Sequence, residues 1–280
     1  MTSPRDSRPL WLVANSASGS NSDEALDELL GALANAGTPV ARRFDVADRL
    51  PDRQMLQAAG VGTLAVFTGD GTANAVATGV EGWDGALLVL PGGTANLLAR
   101  AIHGDRDAAA IARDFGTLRI ARRNCVRSRH GTGLIEILAG PGATWSDVRE
   151  GLRDGDVGAV AGKAVEAIRQ STVGSMVALA DPPIGRAEGY AGVRLDISGE
   201  AMLVEGYGAE TVGDYFRQGL ALLRRNFRDG PHDELGAHPA VTCRSVDSEP
   251  IPLMIDGERR DGAAQEHFSL APFDLDLLAP

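Results

Sequence analysis

Lysine, cysteine and long apolar runs are all scarce in this sequence of 280 residues. The two cysteines, Cys125 and Cys243, are too few for a disulfide framework or a four-thiolate zinc site. The longest uninterrupted apolar runs are about five residues, too short to span a bilayer. Lys163 is the only lysine, and no glycine-rich loop precedes it, which excludes P-loop enzymes.

The charge is strongly acidic, with 38 acidic residues against 27 basic ones and a net charge of −11. A field of that sign opposes binding to nucleic acid and to anionic membranes. The polar segment Met1–Pro9 lacks the apolar stretch of a signal peptide. We therefore expect a cytoplasmic protein with no nucleic-acid partner.

The first 118 residues alternate between short apolar runs and segments with helical spacing. This pattern predicts a mostly parallel sheet covered by helices. The predicted strands are Pro9–Ala14, Val40–Phe44, Thr63–Phe67 and Ala86–Leu90, and the helices after the last two are Ala73–Val80 and Ala95–Ile102.

Residues 119–280 have a different texture, with short runs bounded by glycine, proline or aspartate, which predicts an antiparallel β sandwich or barrel. Two helices, Val157–Gln170 and Thr211–Phe227, are predicted to interrupt the strands. The sequence thus predicts two domains, residues 1–118 and 119–280.

Two similar glycine turns, Thr68–Thr72 and Pro91–Thr94, each join a predicted strand to a predicted helix. Such a turn directs backbone N–H groups and a helix N-terminus at one point, which makes an anion site. Thr72 and Thr94 stand at the predicted N-cap positions. Asp70 within the first turn indicates either Mg²⁺ bridging to phosphate or a bond to a ligand hydroxyl; stabilisation of its own turn is an equal alternative.

Four ordered motifs resemble the diacylglycerol kinase catalytic family, which includes bacterial lipid kinases and sphingosine kinases. They are Asn15–Gly19, Thr68–Asn74, Leu90–Arg100 and the weaker Ile255–Glu258. The resemblance implies an α/β nucleotide-binding domain followed by a β-rich lipid-substrate domain. It also implies transfer of the γ-phosphoryl group of ATP, with Mg²⁺, to a hydroxyl of a diacylglycerol-like or sphingoid lipid. From the acidic charge and the lack of an anchor, we expect membrane contact that is peripheral and transient at most.

Carried over position by position, the resemblance assigns roles to eleven residues. The residues expected around ATP are Asn15, Ser18, Gly19, Gly69, Asp70, Gly71, Thr72, Thr94 and Asn96, with Asp70 also expected at the metal. Asp256 would be the general base on the acceptor hydroxyl, with Glu258 close to it. From local sequence alone, Asp256–Gly257 is typical of a hairpin turn.

The sequence departs from the family pattern at two carboxylates, since Ala75 and Leu97 stand where many members have glutamate and aspartate. A catalytically impaired nucleotide- or lipid-binding protein is therefore one alternative function. A kinase of a soluble small molecule is another.

A basic cluster stands out in the acidic chain, and it has two interpretations. In one interpretation, the cluster faces an anion, which is either ATP phosphate or a bilayer. In the favoured interpretation, it is a solvated strand edge whose charges discourage aggregation. Its members are Arg119, Arg122, Arg123, Arg127, Arg129 and His130.

Overall fold

The computed structural model describes residues 8–15, 23–47, 49–141, 175–198, 201–208 and 232–280. The chain divides into two compact units, Met1–Arg123 with Pro272–Pro280, and Asn124–Ala271. Both predicted helices of the second half, Val157–Gln170 and Thr211–Phe227, lie outside the described residues. In the part of the chain that the structure describes, no helix is both long and apolar enough to cross a membrane.

The first unit is built on a six-stranded sheet in the order β2-β1-β3-β4-β17-β5. Its strands are β1 (Leu10–Ala14), β2 (Val40–Asp45), β3 (Thr63–Thr68), β4 (Ala86–Pro91), β5 (Arg119–Ala121) and β17 (Asp276–Ala279). All neighbours are parallel except β5, which is antiparallel to β17. Strands β1, β3 and β4 are apolar and almost wholly buried, as expected for a parallel sheet covered on both faces.

Five helices of this unit are described, and each has an identifiable beginning or end. They are α1 (Asp23–Asn35), α2 (Arg53–Ala58), α3 (Asp70–Gly79), α4 (Leu97–His103) and α5 (Ala108–Arg113). Asp52 and Asp107 cap α2 and α5, since their carboxylates accept the amide N–H groups of Met55 and Ala110. Gly37, at φ +80°, follows α1 in the left-handed conformation that commonly ends a helix.

The second unit contains two antiparallel sheets. The six-stranded sheet has the order β12-β11-β10-β8-β14-β15, and the five-stranded sheet has the order β7-β6-β16-β13-β9. Their strands are β6 (Asn124–Ser128), β7 (Gly131–Gly133), β8 (Glu136–Ala139), β9 (Val177–Asp181), β10 (Gly192–Ser198), β11 (Ala201–Tyr207), β12 (Asp233–Ala237), β13 (Ala240–Ser245), β14 (Pro252–Ile255), β15 (Glu258–Asp261) and β16 (Gln265–Pro272). One buried cluster joins residues of both sheets, including Ile137, Leu195, Leu253 and Phe268, so the unit is a sandwich.

The predicted fold class, a parallel α/β domain followed by an antiparallel β-rich domain, is confirmed. Two details differ from the predicted organisation. Strand β5, at the start of the predicted second domain, lies in the parallel sheet of the first unit, whereas β6 lies in the five-stranded sheet. The last strand, β17, lies between β4 and β5, so the end of the chain belongs to the first unit rather than to the second.

Candidate active site

The described parts of three sequence motifs lie at one edge of the parallel sheet. Strands β1, β3 and β4 are adjacent, with Ala14 paired to Phe67 and Thr68 paired to Pro91. Because parallel strands end at the same edge, Asn15, Gly69 and Gly92 follow their strands on that side. Open α/β sheets bind ligands at this edge. The predicted residues Ser18 and Gly19 lie outside the described residues.

The two glycine turns are in direct backbone contact. A Cβ atom on Gly93 would lie 2.5 Å from the Gly69 Cα, and one on Gly92 would lie 2.5 Å from the backbone of Phe67 and Thr68. Real Cβ contacts are not this short. The close approach therefore requires glycine at both positions and brings the two turns together.

Helix α3 begins directly at the first glycine turn. Asp70 is its first residue, and Gly69 is its N-cap without a side-chain bond. The amides of Gly71 and Thr72 lie in the first turn, where the helix itself offers no acceptor. The predicted N-cap role of Thr72 was wrong, because the helix begins at Asp70, three residues before the predicted first residue, Ala73.

The second turn is closed by Asn96. This residue has a left-handed backbone (φ 51°), and its side-chain amide donates to the Gly93 carbonyl at 2.8 Å and accepts from the Gly93 N–H at 2.7 Å. Asn96 therefore stabilises the conformation of the second turn through two hydrogen bonds to its backbone. It is also the N-cap residue of α4, so the cap predicted at Thr94 was wrong, and Thr94 is exposed.

In the second unit, the carboxylate of Asp256 is buried and bonds to three successive backbone amides. Its oxygens accept from Leu134 at 2.7 Å, Ile135 at 3.0 Å and Glu136 at 2.9 Å. Only 3% of the residue is exposed. The side chain thus holds the segment that leads into β8.

The Asp256–Gly257 pair also forms the hairpin turn between β14 and β15, where Ile255 pairs with Glu258. Both turn residues have positive φ, 46° and 90°, which is the two-residue turn that favours Asp-Gly. Glu258, directly after the turn, is exposed, with Arg260 at 3.9 Å. The two predicted catalytic carboxylates therefore lie in opposite environments.

A buried ion network lies in the six-stranded sheet of the second unit, close to the segment that Asp256 holds. Arg194 bonds Glu136 at 2.7 Å and Glu205 at 2.9 Å, and it also bonds Asp196. Burial raises the pKa of Glu205, but the hydrogen bonds from Tyr207 and Arg194 outweigh it and leave that pKa below its ordinary value. Sequence reasoning missed this network, because its members are scattered over β8, β10 and β11.

The basic cluster has partners within the protein. Arg122 pairs with Asp274 and Asp276. Arg129 and His130 both contact the fully buried Glu266, at 2.8 Å and 2.9 Å. Burial raises the pKa of Glu266, but the bonds from Arg129, the Ala263 amide and His130 outweigh it and lower that pKa. Three members of the cluster, Arg122, Arg129 and His130, are thus paired with carboxylates of the protein, and both interpretations of the cluster stay predictions.

Comparison with known proteins agrees with this geometry. Residues 9–124 match the family model of the diacylglycerol kinase catalytic domain. The resemblance predicted from the motifs is therefore confirmed over this part of the chain. No protein in a search of curated proteins matches the sequence.

Solved structures share the fold over the whole chain. A diacylglycerol kinase from Bacillus anthracis str. Sterne matches with a TM-score of 0.63 at 14% identity, covering 98% of this chain and 97% of its own. Two further structures from that strain, proposed to be diacylglycerol kinases, match with TM-scores of 0.63 and 0.64 at 15% and 13% identity, with the same coverage. At this identity the likeness shows the fold.

The matched domain contains the predicted metal ligand, Asp70, at the edge where the glycine turns lie. Among the described residues, no group of three or more His, Cys, Asp or Glu side chains could hold a metal ion. A phosphate-bridging Mg²⁺ does not require such a group, since this ion is usually bound by one or two carboxylates, substrate phosphates and water. Asp70 fits that kind of site.

Proposed function

We propose that this protein is a lipid kinase that transfers the γ-phosphoryl group of ATP to a hydroxyl of a diacylglycerol-like or sphingoid lipid. The observation that carries the proposal is the contact between the two glycine turns at the carboxyl edge of the matched domain. Backbone N–H groups at a helix N-terminus bind phosphate. Phosphoryl transfer depends mainly on positioning and charge neutralisation, so a site without a lysine is sufficient.

Mg²⁺ has a specific place in this proposal. Asp70 is the residue that would hold it, and the ion would neutralise charge on the phosphate oxygens. The first-turn amides of α3 would bind the phosphates, while Asn96 would keep the second turn in shape. Asn15 would contact the nucleotide from the end of β1.

The acceptor hydroxyl needs a carboxylate that can reach it. Asp256 is buried and already accepts three backbone N–H bonds, whereas Glu258 is exposed beside it. A general base must come within hydrogen-bond reach of the proton it removes. The geometry therefore favours Glu258 as the base, with Asp256 holding the hairpin that carries it. The motif-based assignment of the base to Asp256 stays a prediction.

The deciding experiment is phosphoryl transfer from labelled ATP, with Mg²⁺, to a total-lipid extract in detergent micelles. We expect label in the organic phase, where the mobility of the product identifies the acceptor lipid. Label in water-soluble products alone would favour a kinase of a small molecule. Tight ATP binding without turnover on any acceptor would favour the non-catalytic binding protein.

Two variants separate the roles of the carboxylates. Glu258→Gln should lower turnover about 100-fold or more without changing ATP affinity or the melting temperature, because the side chain is exposed. Asp256→Asn should lower the melting temperature, since an amide cannot accept all three backbone bonds. The control is Glu249→Gln, at an exposed loop residue. A stable but inactive Asp256→Asn variant would return the base to Asp256.

A further inference from the structure

Helix α4 lacks a cap of its own, although it begins at the second glycine turn. Its N-cap residue, Asn96, makes no side-chain bond to the helix, because both of its amide atoms bond to Gly93. N-cap side chains normally accept the N–H of the second or third helical residue. Asp52 and Asp107 do so for α2 and α5.

The missing acceptor comes from the other glycine turn. The Asp70 Oδ1 atom accepts the backbone N–H of Leu98 at 3.3 Å, across 28 residues of sequence. Leu98 is the second residue of α4, which is the position that an N-cap side chain serves, and it is buried. We propose that Asp70 is a positioning residue that caps α4 from α3 and so sets the spacing of the two glycine turns.

The packing of the turns explains why this spacing needs to be held. Gly69 and Gly93 are so close that a methyl group on Gly93 would force the two turns apart. Asp70 also lies in the first turn of α3, where a negative charge is favoured by the helix dipole. One carboxylate thus joins the beginnings of both helices, beside the backbone contact between their turns.

For its kinetic consequence, this inference rests on the proposed kinase function. If both turns bind the nucleotide, loss of the cap raises the KM for ATP by letting the second turn move. A residue that acted only through a metal ion would change kcat and the Mg²⁺ requirement. Its loss would leave α4 unchanged.

The test in the wild-type protein is residue-resolved amide hydrogen exchange, which does not depend on activity. Leu97 and Leu98 both lie in the first turn of α4, where the helix offers their N–H groups no acceptor. We expect the Leu98 amide to be protected at least fivefold relative to the Leu97 amide. Equal exchange of the two amides would overturn the proposal.

Two substitutions complete the test. Asp70→Asn keeps an acceptor oxygen and should retain the protection of Leu98, while Asp70→Ala should lose it and raise the KM for ATP several-fold beyond the effect of Asp70→Asn. Equal exchange at Leu98 in both variants would overturn the proposal. Failure of the lipid kinase assay would leave the exchange result intact, so the two proposals fail separately.

The matched control is Asp107→Ala, which removes the cap of α5 in the same unit. It should lower the stability of that unit by an amount like that of Asp70→Ala, with no change in Leu98 exchange or in the KM for ATP. If Asp107→Ala raised the KM equally, the effect of Asp70 would be general destabilisation and the positioning role would be wrong.

Discussion

Gly93 illustrates how the absence of a side chain can build a site. Its backbone φ lies outside the left-handed region, so glycine is required here by contact and not by conformation. The atom that a Cβ would strike is the Cα of Gly69, which is backbone and cannot rotate away. The two turns can touch only because Gly93 lacks a Cβ, since a Cβ on Gly69 would lie 3.8 Å from the Gly93 Cα, at an ordinary contact distance.

Gly93→Ala should therefore force the turns apart. We expect a loss of about 1–3 kcal/mol in the free energy of unfolding and about tenfold weaker ATP binding, measured by urea denaturation and calorimetric titration. Gly31→Ala is the control, since Gly31 lies in α1 with no atom within 4 Å of the added Cβ. That change should stabilise the helix slightly and leave ATP binding unaltered.

His103 is a buried polar residue whose ring is poorly satisfied. It is the last residue of α4 and is 4% exposed, and among the described residues its ring nitrogens make no hydrogen bond of good geometry, although the Val89 backbone lies near the ring and partly favours its charged form. Burial, together with repulsion by Arg106, lowers the pKa of His103 from 6.5 to about 4. The folded protein therefore holds this imidazole neutral.

This shift makes stability depend on pH in a defined window. The unfolded chain takes up a proton at His103 near pH 6.5, whereas the folded chain does so near pH 4, so stability falls as the pH is lowered between these values. The loss reaches about 3 kcal/mol. His103→Leu should remove this pH-dependent loss of stability. The unfolding free energy of the wild type should therefore fall relative to that of the variant as the pH is lowered from 7 to 4.5. A constant difference would contradict the prediction.

At the scale of elements, one buried cation bonds to neighbouring strands of the six-stranded sheet in the second unit. Arg194 on β10 reaches Glu136 on β8 and Glu205 on β11, so three strands depend on one side chain. Removing one member of a buried ion pair leaves an uncompensated charge, which costs about 3–5 kcal/mol. This cost is larger than the gain from forming such a pair.

Arg194→Leu should therefore destabilise the second unit by about 3–5 kcal/mol, measured by chemical denaturation. Arg244→Leu is the control, because Arg244 is an exposed residue of β13 in the same unit. Its effect should stay within about 0.5 kcal/mol. Similar effects of the two substitutions would show that the network contributes little.

At the scale of the whole molecule, the end of the chain completes the first unit. Strand β17 lies between β4 and β5, and its segment buries Phe273, Leu275 and Leu277 at 1%, 1% and 2% exposure. The parallel sheet therefore depends on residues that follow the entire second unit in sequence. The fold of the first unit is completed only by the last nine residues.

Truncation after Ala271 should abolish the folding of the first unit. We expect amides of β1, β3 and β4 to lose their protection from hydrogen exchange, because a strand inside the sheet is missing. Truncation after Ala279 is the control, since it removes only Pro280, which lies outside the strand. If the protein truncated after Ala271 kept the exchange protection of the wild type, this role of β17 would be contradicted.

The parallel sheet and the motif edge could be predicted because their signals are local. Apolar runs such as Ala86–Leu90, followed by a glycine turn, specify a buried strand and its end within a few residues. The family resemblance added the order of the motifs. The N-caps were misplaced, since threonine is a common cap and nothing local reveals that α3 begins at Asp70.

The sequence by itself determined the fold class, the exclusion of a P-loop site, and the set of turns that meet at one edge. Only the tertiary structure decided what the side chains in those motifs do. Asp70 reaches Leu98 across 28 residues, and Asp256 reaches Leu134 across 122. Helical and strand periodicities act over two to four residues, so they carry no information about such bonds, which depend on how the strands are ordered in space.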